Sequence, residues 1–156
     1  VRIYLRAAKI EDCRRLWFWR NDAEVRSNSF SGKPIQYAEH KVWFESKLNE
    51  PETVFLIGEY LDKPFGMVRL DIYKKNKAAL LHISIRKAYR GRGLGSSLLA
   101  ASCRKAKALG LRKIQAEILT KNKASLNIFK KNNFHISKKI TNKQRKAVLV
   151  SRLLTI

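Results

Sequence analysis

Ile85-Arg86-Lys87-Ala88-Tyr89-Arg90-Gly91-Arg92-Gly93-Leu94-Gly95-Ser96-Ser97-Leu98-Leu99 is the stretch on which the reading of this chain turns. An apolar, β-prone run from Ala79 to Ile85 leads into a basic turn punctuated by glycine, and an amphipathic helix opens at the end of that turn. Glycine brings backbone close to a ligand with no Cβ in the way, and it takes the positive φ of a tight turn. The first N–H groups of a helix lack intrahelical acceptors and, with the macrodipole behind them, favour an anion. Such a turn is suited to gripping a diphosphate.

Two common diphosphate patterns are excluded. Gly91, Gly93 and Gly95 do not have the spacing of G-x-G-x-x-G, and no Gly-Lys-Ser/Thr closes a Walker loop. A glycine-rich strand-to-helix turn with no ligand is the plain structural alternative. The segment resembles the acetyl-CoA signature of the GNAT N-acetyltransferases, [Q/R]-x-x-G-x-[G/A], filled here by Arg90, Gly93 and Gly95.

Outward from this turn, the alternation of Arg2 to Ala7 reads as a strand and Ile10 to Trp19 as a helix. A polar break at Asn21-Asp22 opens a short turn or helix, and Ser27 to Pro34 reads as a loop. Tyr37 to Leu48 is a second helix. Thr53 to Glu59 and Phe65 to Tyr73 are strands joined around Asp62-Lys63-Pro64. Leu94 to Leu109 forms a helix stopped by Gly110, with Leu98, Ser102, Ala106 and Leu109 on one stripe. Lys113 to Leu119 is a strand and Lys123 to Lys131 a helix, after which Asn133 takes the left-handed position. His135 to Ile140 and Ala147 to Leu154 are the last strands.

This element order is similar to that of the GNAT fold, and the resemblance spans residues 1–156 as a single domain. It implies an α/β (α+β) architecture: a mixed central sheet of about seven strands, about four flanking helices, and a splay between the fourth and fifth strands. A second motif lies downstream. Glu117-Ile118-Leu119-Thr120-Lys121-Asn122-Lys123-Ala124-Ser125-Leu126-Asn127-Ile128-Phe129 resembles the family's E-x-x-x-x-N-x-x-[AS]-x-x-[LI]-[YF].

The resemblance implies an acetyl-CoA-dependent N-acetyltransferase that releases CoA. Backbone N–H groups of Gly91, Arg92, Gly93, Leu94, Gly95 and Ser96 would hold the pyrophosphate, with charge added by Arg90 and Arg92. Backbone at Ile83, Ser84 and Ile85 would hold the pantetheine arm. Asn122 and Ser125 match cofactor-binding positions, although Asn122 is also a good helix N-cap. Glu117 matches the general base of the ribosomal-protein acetyltransferases, against the alternative of a surface glutamate paired with lysine. His82 and Ser84 share one face of the preceding strand and are the other candidates for that role. Phe129 stands where many relatives place a tyrosine general acid, so no proton donor is supplied there, and its ring is expected beside the thioester.

Trp19-Arg20-Asn21-Asp22-Ala23-Glu24-Val25-Arg26, then Phe30, His40, Trp43 and Phe44, is similar to the branch acting on nucleotide-linked amino sugars of pseudaminic- and legionaminic-type pathways. On that likeness Arg20, Asn21, Arg26, Phe30 and His40 face the acceptor, whereas Trp17, Trp19, Trp43 and Phe44 read as packing. A protein amine, as on a ribosomal protein, is the alternative acceptor, and a non-catalytic CoA- or nucleic-acid-binding module is the alternative class.

Charge agrees with an anionic ligand. Against 34 lysines and arginines stand 12 acids, a formal net charge of +22. The basic residues are dispersed, and no zinc-finger or RNA-recognition motif accompanies them. The two cysteines have neither disulfide-framework nor metal spacing, so a cytoplasmic setting and no metal are expected. No run is apolar enough to span a membrane. A homodimer is left open.

Overall fold

The computed structural model describes residues 1–155; Ile156, the last residue of the span expected as one domain, lies outside the described residues. Seven strands form one mixed sheet: β1 (Tyr4–Ala7), β2 (Thr53–Tyr60), β3 (Lys63–Tyr73), β4 (Ala78–Ile85), β5 (Lys113–Leu119), β6 (His135–Asn142) and β7 (Arg145–Leu153). Their order is β1-β2-β3-β4-β5-β7-β6, with β4 and β5 the parallel pair and the other neighbours antiparallel. Five α-helices flank it: α1 (Cys13–Arg20), α2 (Ala23–Ser27), α3 (Tyr37–Asn49), α4 (Leu94–Ala108) and α5 (Lys123–Lys131). The fifth, beyond the four expected, is the short α2. Asp22 creates it by accepting hydrogen bonds from Glu24 N–H and Val25 N–H.

Strand alternation divides the core between the two faces of the sheet. Val68, Leu70, Ala79, Leu81, Ile114, Ala116 and Ile118 pack under α4 and α5 with Leu94, Leu98, Leu99 and Phe129. Phe55, Ile57 and Met67 face the other way, against Cys13 and Leu16 of α1 and Phe44 of α3. Trp17 and Trp19 are only half-buried there, and Leu109 lies beyond the end of α4 with much of its side chain in solvent. The buried Ser102 hydroxyl donates to the Leu98 carbonyl at 2.8 Å, which satisfies it within its own helix. The start of α1 is fixed by a second buried polar group. Asp12 receives a two-bond fork from Arg6, 2.8 Å in each arm, together with the Lys9 N–H at 2.9 Å.

Both two-residue hairpins place positive φ at non-glycine residues, Leu61 and Asp62 before β3, Lys143 and Gln144 before β7. The first turn therefore falls ahead of the expected Asp62-Lys63-Pro64, and Pro64 belongs to the start of β3, where a missing N–H is tolerated. Gly110 and Asn133 adopt the left-handed conformation anticipated for both (φ 82° and 66°).

Gly66 sits where β3, β4 and α4 meet most closely. A Cβ there would lie 2.9 Å from the Ser84 carbonyl oxygen and 2.9 Å from Leu98 Cδ2. Because the first neighbour is backbone, Gly66→Ala is expected to cost about 1–3 kcal/mol by overpacking. Urea unfolding should show a lower midpoint with an unchanged slope.

Candidate active site

The parallel ladder between β4 and β5 has only three rungs, Ala78↔Lys113, Ala79↔Ile114 and Leu80↔Gln115. Each strand continues beyond that point, held from outside by β3 and β7. Past Leu80 and Gln115 the two strands no longer pair with each other, which is the anticipated splay. Ile83, Ser84 and Ile85 line its β4 side; the side chains of Ile83 and Ile85 pack into the core, so they present only backbone to the gap. Glu117 stands on the β5 side.

The glycine turn lies at the mouth of this gap. Gly91 and Gly93 have φ of 75° and 77°, and a Cβ built on either meets no heavy atom within 4 Å. Gly93 is the N-cap of α4, and no side chain caps it. Open backbone at a helix start with no side-chain cap fits a pyrophosphate. Gly95 serves packing instead. A Cβ there would come 3.2 Å from Ile128 Cδ1, so its bareness lets α5 pack against α4. Leu94 is buried in the core, and the Ser96 hydroxyl accepts a hydrogen bond from the Asn132 amide at 3.0 Å. Leu94 can offer the turn only its backbone N–H, whereas Ser96 keeps its hydroxyl hydrogen as a further donor. Asn122 Oδ1 accepts from the Ser125 N–H at 3.2 Å, the helix cap, which leaves the Asn122 amide hydrogens free to face a ligand.

Phe129 is placed differently from its expected position beside a thioester. It is 4 % exposed and packs edge-on against Phe134, with ring centroids 4.8 Å apart. Its apolar α5 position drives it into the core.

On the α1/α3 face of the sheet, His82 and Ser84 alternate with the core residues of β4, and Glu117 alternates with those of β5. Glu117 is exposed and has no ion-pair partner within 4.0 Å among the described residues. The surface lysine pair weighed against a catalytic role is therefore absent among them. His82 Nε2 lies 3.1 Å from Asp71 Oδ2, and the same carboxylate receives the Nε and Nη2 of Arg69 at 3.2 Å each. Burial pushes the Asp71 carboxyl up, but the His82 bond and the Arg69 charge outweigh it and bring its pKa down to about 2. An ionised Asp71 can only accept, so His82 donates to it through Nε2–H, and in a neutral ring Nδ1 is then the acceptor.

Next to this group, the Arg20 guanidinium lies 4.2 Å from the centroid of Trp43, and Arg69 lies 5.2 Å from the same ring. Arg20 Nη1 donates to His40 Nδ1 at 3.0 Å, which fixes the His40 tautomer: its Nε2–H donates to the Cys13 carbonyl at 2.9 Å. His40 does not face the acceptor as expected; it is 0 % exposed and stacked on Phe44. It orients Arg20 and touches no ligand.

The remaining acceptor candidates divide in the same way. Both amide atoms of Asn21 are occupied by Ile35, accepting its N–H at 2.7 Å and donating to its carbonyl at 2.9 Å, so Asn21 clamps the loop. Arg26 donates from Nε to the Asn21 carbonyl, and Phe30 lies half-buried in the loop after α2. The Arg90 side chain is directed away from the turn, toward Asp22 at 3.1 Å and Glu24 at 2.7 Å. One anchor has no signal in the sequence. Arg145 at the start of β7 donates to the carbonyls of Ser27 and Ser29, a contact across most of the chain that no local pattern marks.

No helix among the described residues is long and apolar enough to cross a membrane. The Acetyltransferase (GNAT) domain family matches residues 2–135. A candidate phosphinothricin acetyltransferase of Bacillus subtilis (strain 168) is 46% identical over 59 residues, which is 38% of this chain and 36% of that protein. A spermidine N-acetyltransferase from Vibrio cholerae, in complex with CoA and spermine, superposes with a TM-score of 0.88 at 18% identity, covering 97% of this chain and 95% of that one. A candidate acetyltransferase from Salmonella typhimurium with its cofactor acetyl-CoA gives 0.80 at 16% identity, covering 100% and 96%.

Burial, then the neighbouring Arg20 charge, depress the His40 pKa, and the Cys13 carbonyl opposes them only in part. The folded state therefore binds this proton less readily than the unfolded chain, whose histidine titrates near ~6.5. Stability should be fully present above that pH and fall below it, with a limiting slope of about 1.4 kcal/mol per pH unit from this group. Chemical unfolding from pH 7.5 to 5.5 should show the loss, and His40→Gln, which cannot titrate, should flatten that limb.

Proposed function

The chain belongs to the Acetyltransferase (GNAT) domain family, and from that premise we propose that it is an acetyl-CoA-dependent N-acetyltransferase whose acceptor is the primary amine of an anionic small molecule, most specifically a nucleotide-linked amino sugar. Arg20 carries this reading. It is part-buried, it has no carboxylate within 4.0 Å among the described residues, and it lies on the same face of the sheet as Glu117. Burial, then the charge of Arg69, lower its pKa, and the more distant Glu39 opposes them only in part. A part-buried cation with no carboxylate in ion-pair contact is costly, and an anionic substrate relieves that cost. A nucleotide sugar brings its own diphosphate to this charge, whereas a polyamine would bring further cations to a chain of net charge +22.

The cofactor supplies the acetyl thioester when bound. Backbone N–H groups from Gly91 to Ser96 hold its pyrophosphate, the open strand edge at Ile83 to Ile85 holds its pantetheine arm, and Asn122 and Ser125 flank it. Glu117 takes the proton that the acceptor nitrogen loses as its bond to the acetyl carbon forms, directly or through water. A thiolate is a far better leaving group than an alkoxide, as the ~8.5 pKa of a free cysteine thiol illustrates, so the CoA sulfur leaves without a tyrosine donor. A second reading of the base rests on one observation: His82 donates Nε2–H to Asp71 at 3.1 Å, so that in its neutral form Nδ1 is the nitrogen able to accept a proton.

Glu117→Gln is expected to keep CoA affinity and to lower turnover by roughly 10²–10⁴. That loss should shrink as rising pH leaves more of the amine deprotonated. A drop of that size in His82→Gln, with Glu117→Gln unaffected, would transfer the role to His82. The acceptor is tested with a panel of a UDP-linked amino sugar, phosphinothricin, spermidine and a short peptide with a free N-terminus. Preference for the nucleotide sugar, weakening with added salt, is the expected result. Preference for spermidine or the peptide overturns the anionic acceptor.

A further inference from the structure

The α2 helix has no buried residue. A helix of one turn or so without an apolar face does not hold itself in water, so α2 depends on polar anchors. Asp22 caps its start, Arg145 holds the carbonyls at its end, and Arg90 grips its acidic first turn from outside. The Arg90 guanidinium has a partner at each nitrogen. Its Nε donates to the Ile85 carbonyl at 3.0 Å, its Nη1 lies 2.7 Å from Glu24 Oε2, and its Nη2 lies 3.1 Å from Asp22 Oδ2. Burial pushes the Asp22 carboxyl up, but the Val25 N–H, Arg90 and the Glu24 N–H together hold it below the usual carboxylate range, so it stays charged.

We propose that Arg90 is a positioning residue that couples occupancy of the glycine turn to the order of α2 and the loop behind it, the segment that follows α1 in the chain. The proposal rests on the cofactor occupying the Gly91 to Ser96 turn. Arg90 directly precedes Gly91. A ligand that immobilises the turn immobilises the base of the Arg90 fork, and with it the charged clamp that α2 shares with the cofactor side. Asn21, at the end of α1 just before α2, binds Ile35 through its amide, so the loop up to residue 35 closes back on the base of α2. Coupling of this kind is reciprocal: an acceptor that orders α2 tightens the turn on its cofactor. Lysine cannot reproduce the fork. It keeps the positive charge near a diphosphate but cannot reach the Ile85 carbonyl and two carboxylates in one plane.

Hydrogen–deuterium exchange with and without CoA, on the wild type, Arg90→Lys and Glu24→Gln, tests this. In the wild type CoA should slow exchange at residues 91–96 and also, by about fivefold, at residues 23–31, the low end of common coupling strengths. In both variants protection at 91–96 should remain and protection at 23–31 should disappear. The readout is the difference made by CoA, which general destabilisation would not produce because it shifts both states alike. Persistence of the distant protection in the two variants overturns the coupling. So does a CoA affinity that falls more than about tenfold in Arg90→Lys but not in Glu24→Gln, which would place Arg90 on the diphosphate itself. Absence of protection at 91–96 in the wild type overturns the cofactor placement, and the coupling with it.

Discussion

Three rungs of parallel pairing, ending at Leu80↔Gln115, set the geometry from which the candidate site follows. Beyond them β4 and β5 diverge, yet neither can collapse into the gap, because each remains laddered on its outer side to an antiparallel neighbour. Backbone N–H and carbonyl groups along the inner edges are left without strand partners. Such groups are obligatory hydrogen-bonding sites, and an extended amide-bearing chain between the strands can satisfy them. The same divergence separates the ends of the two strands, so that the turn after β4 and the helix after β5 meet through Gly95 and Ile128 rather than through the sheet.

The two faces of the gap are held by different physics. Behind it, α4 and α5 are secured by apolar burial, with Leu94, Leu98 and Leu99 almost wholly removed from water; each such side chain contributes about 1.5–3 kcal/mol. In front of it, the segment from Asn21 to Ile35 is secured by side-chain to backbone hydrogen bonds and exposed ion pairs, whose individual worth is small. That asymmetry leaves the α4/α5 side anchored by the core and the α1/α3 side dependent on weaker polar contacts. Arg90 belongs to both, with its backbone in the turn and its charge on α2.

Polar groups under the acceptor face form a chain of fixed roles. Asp71 sets the tautomer of His82, and the Cys13 carbonyl with Arg20 sets that of His40. Only the first histidine keeps a surface through which a proton can move. The second, closed within the core, directs a guanidinium that has no carboxylate within 4.0 Å among the described residues.

The amino-acid sequence by itself determined the strands and long helices, the caps at Gly110 and Asn133, the glycine turn and the face on which Glu117, His82 and Ser84 lie. Each of these is a local matter of period, backbone permissiveness or spacing, and short-range physics writes such features directly into neighbouring residues. Only the tertiary structure decided how the charged and hydrogen-bonding side chains were used. His40 and Asn21 look like ligand residues until Cys13, Arg20 and Ile35 are brought against them, and Arg90 looks like a phosphate contact until α2 presents two carboxylates. Phe129 enters the core because Phe134 meets it there, and Arg145 holds Ser27 and Ser29 from the far end of the chain. A long polar side chain reaches several partners at similar energy, and which one it takes depends on residues distant in sequence that folding alone brings near.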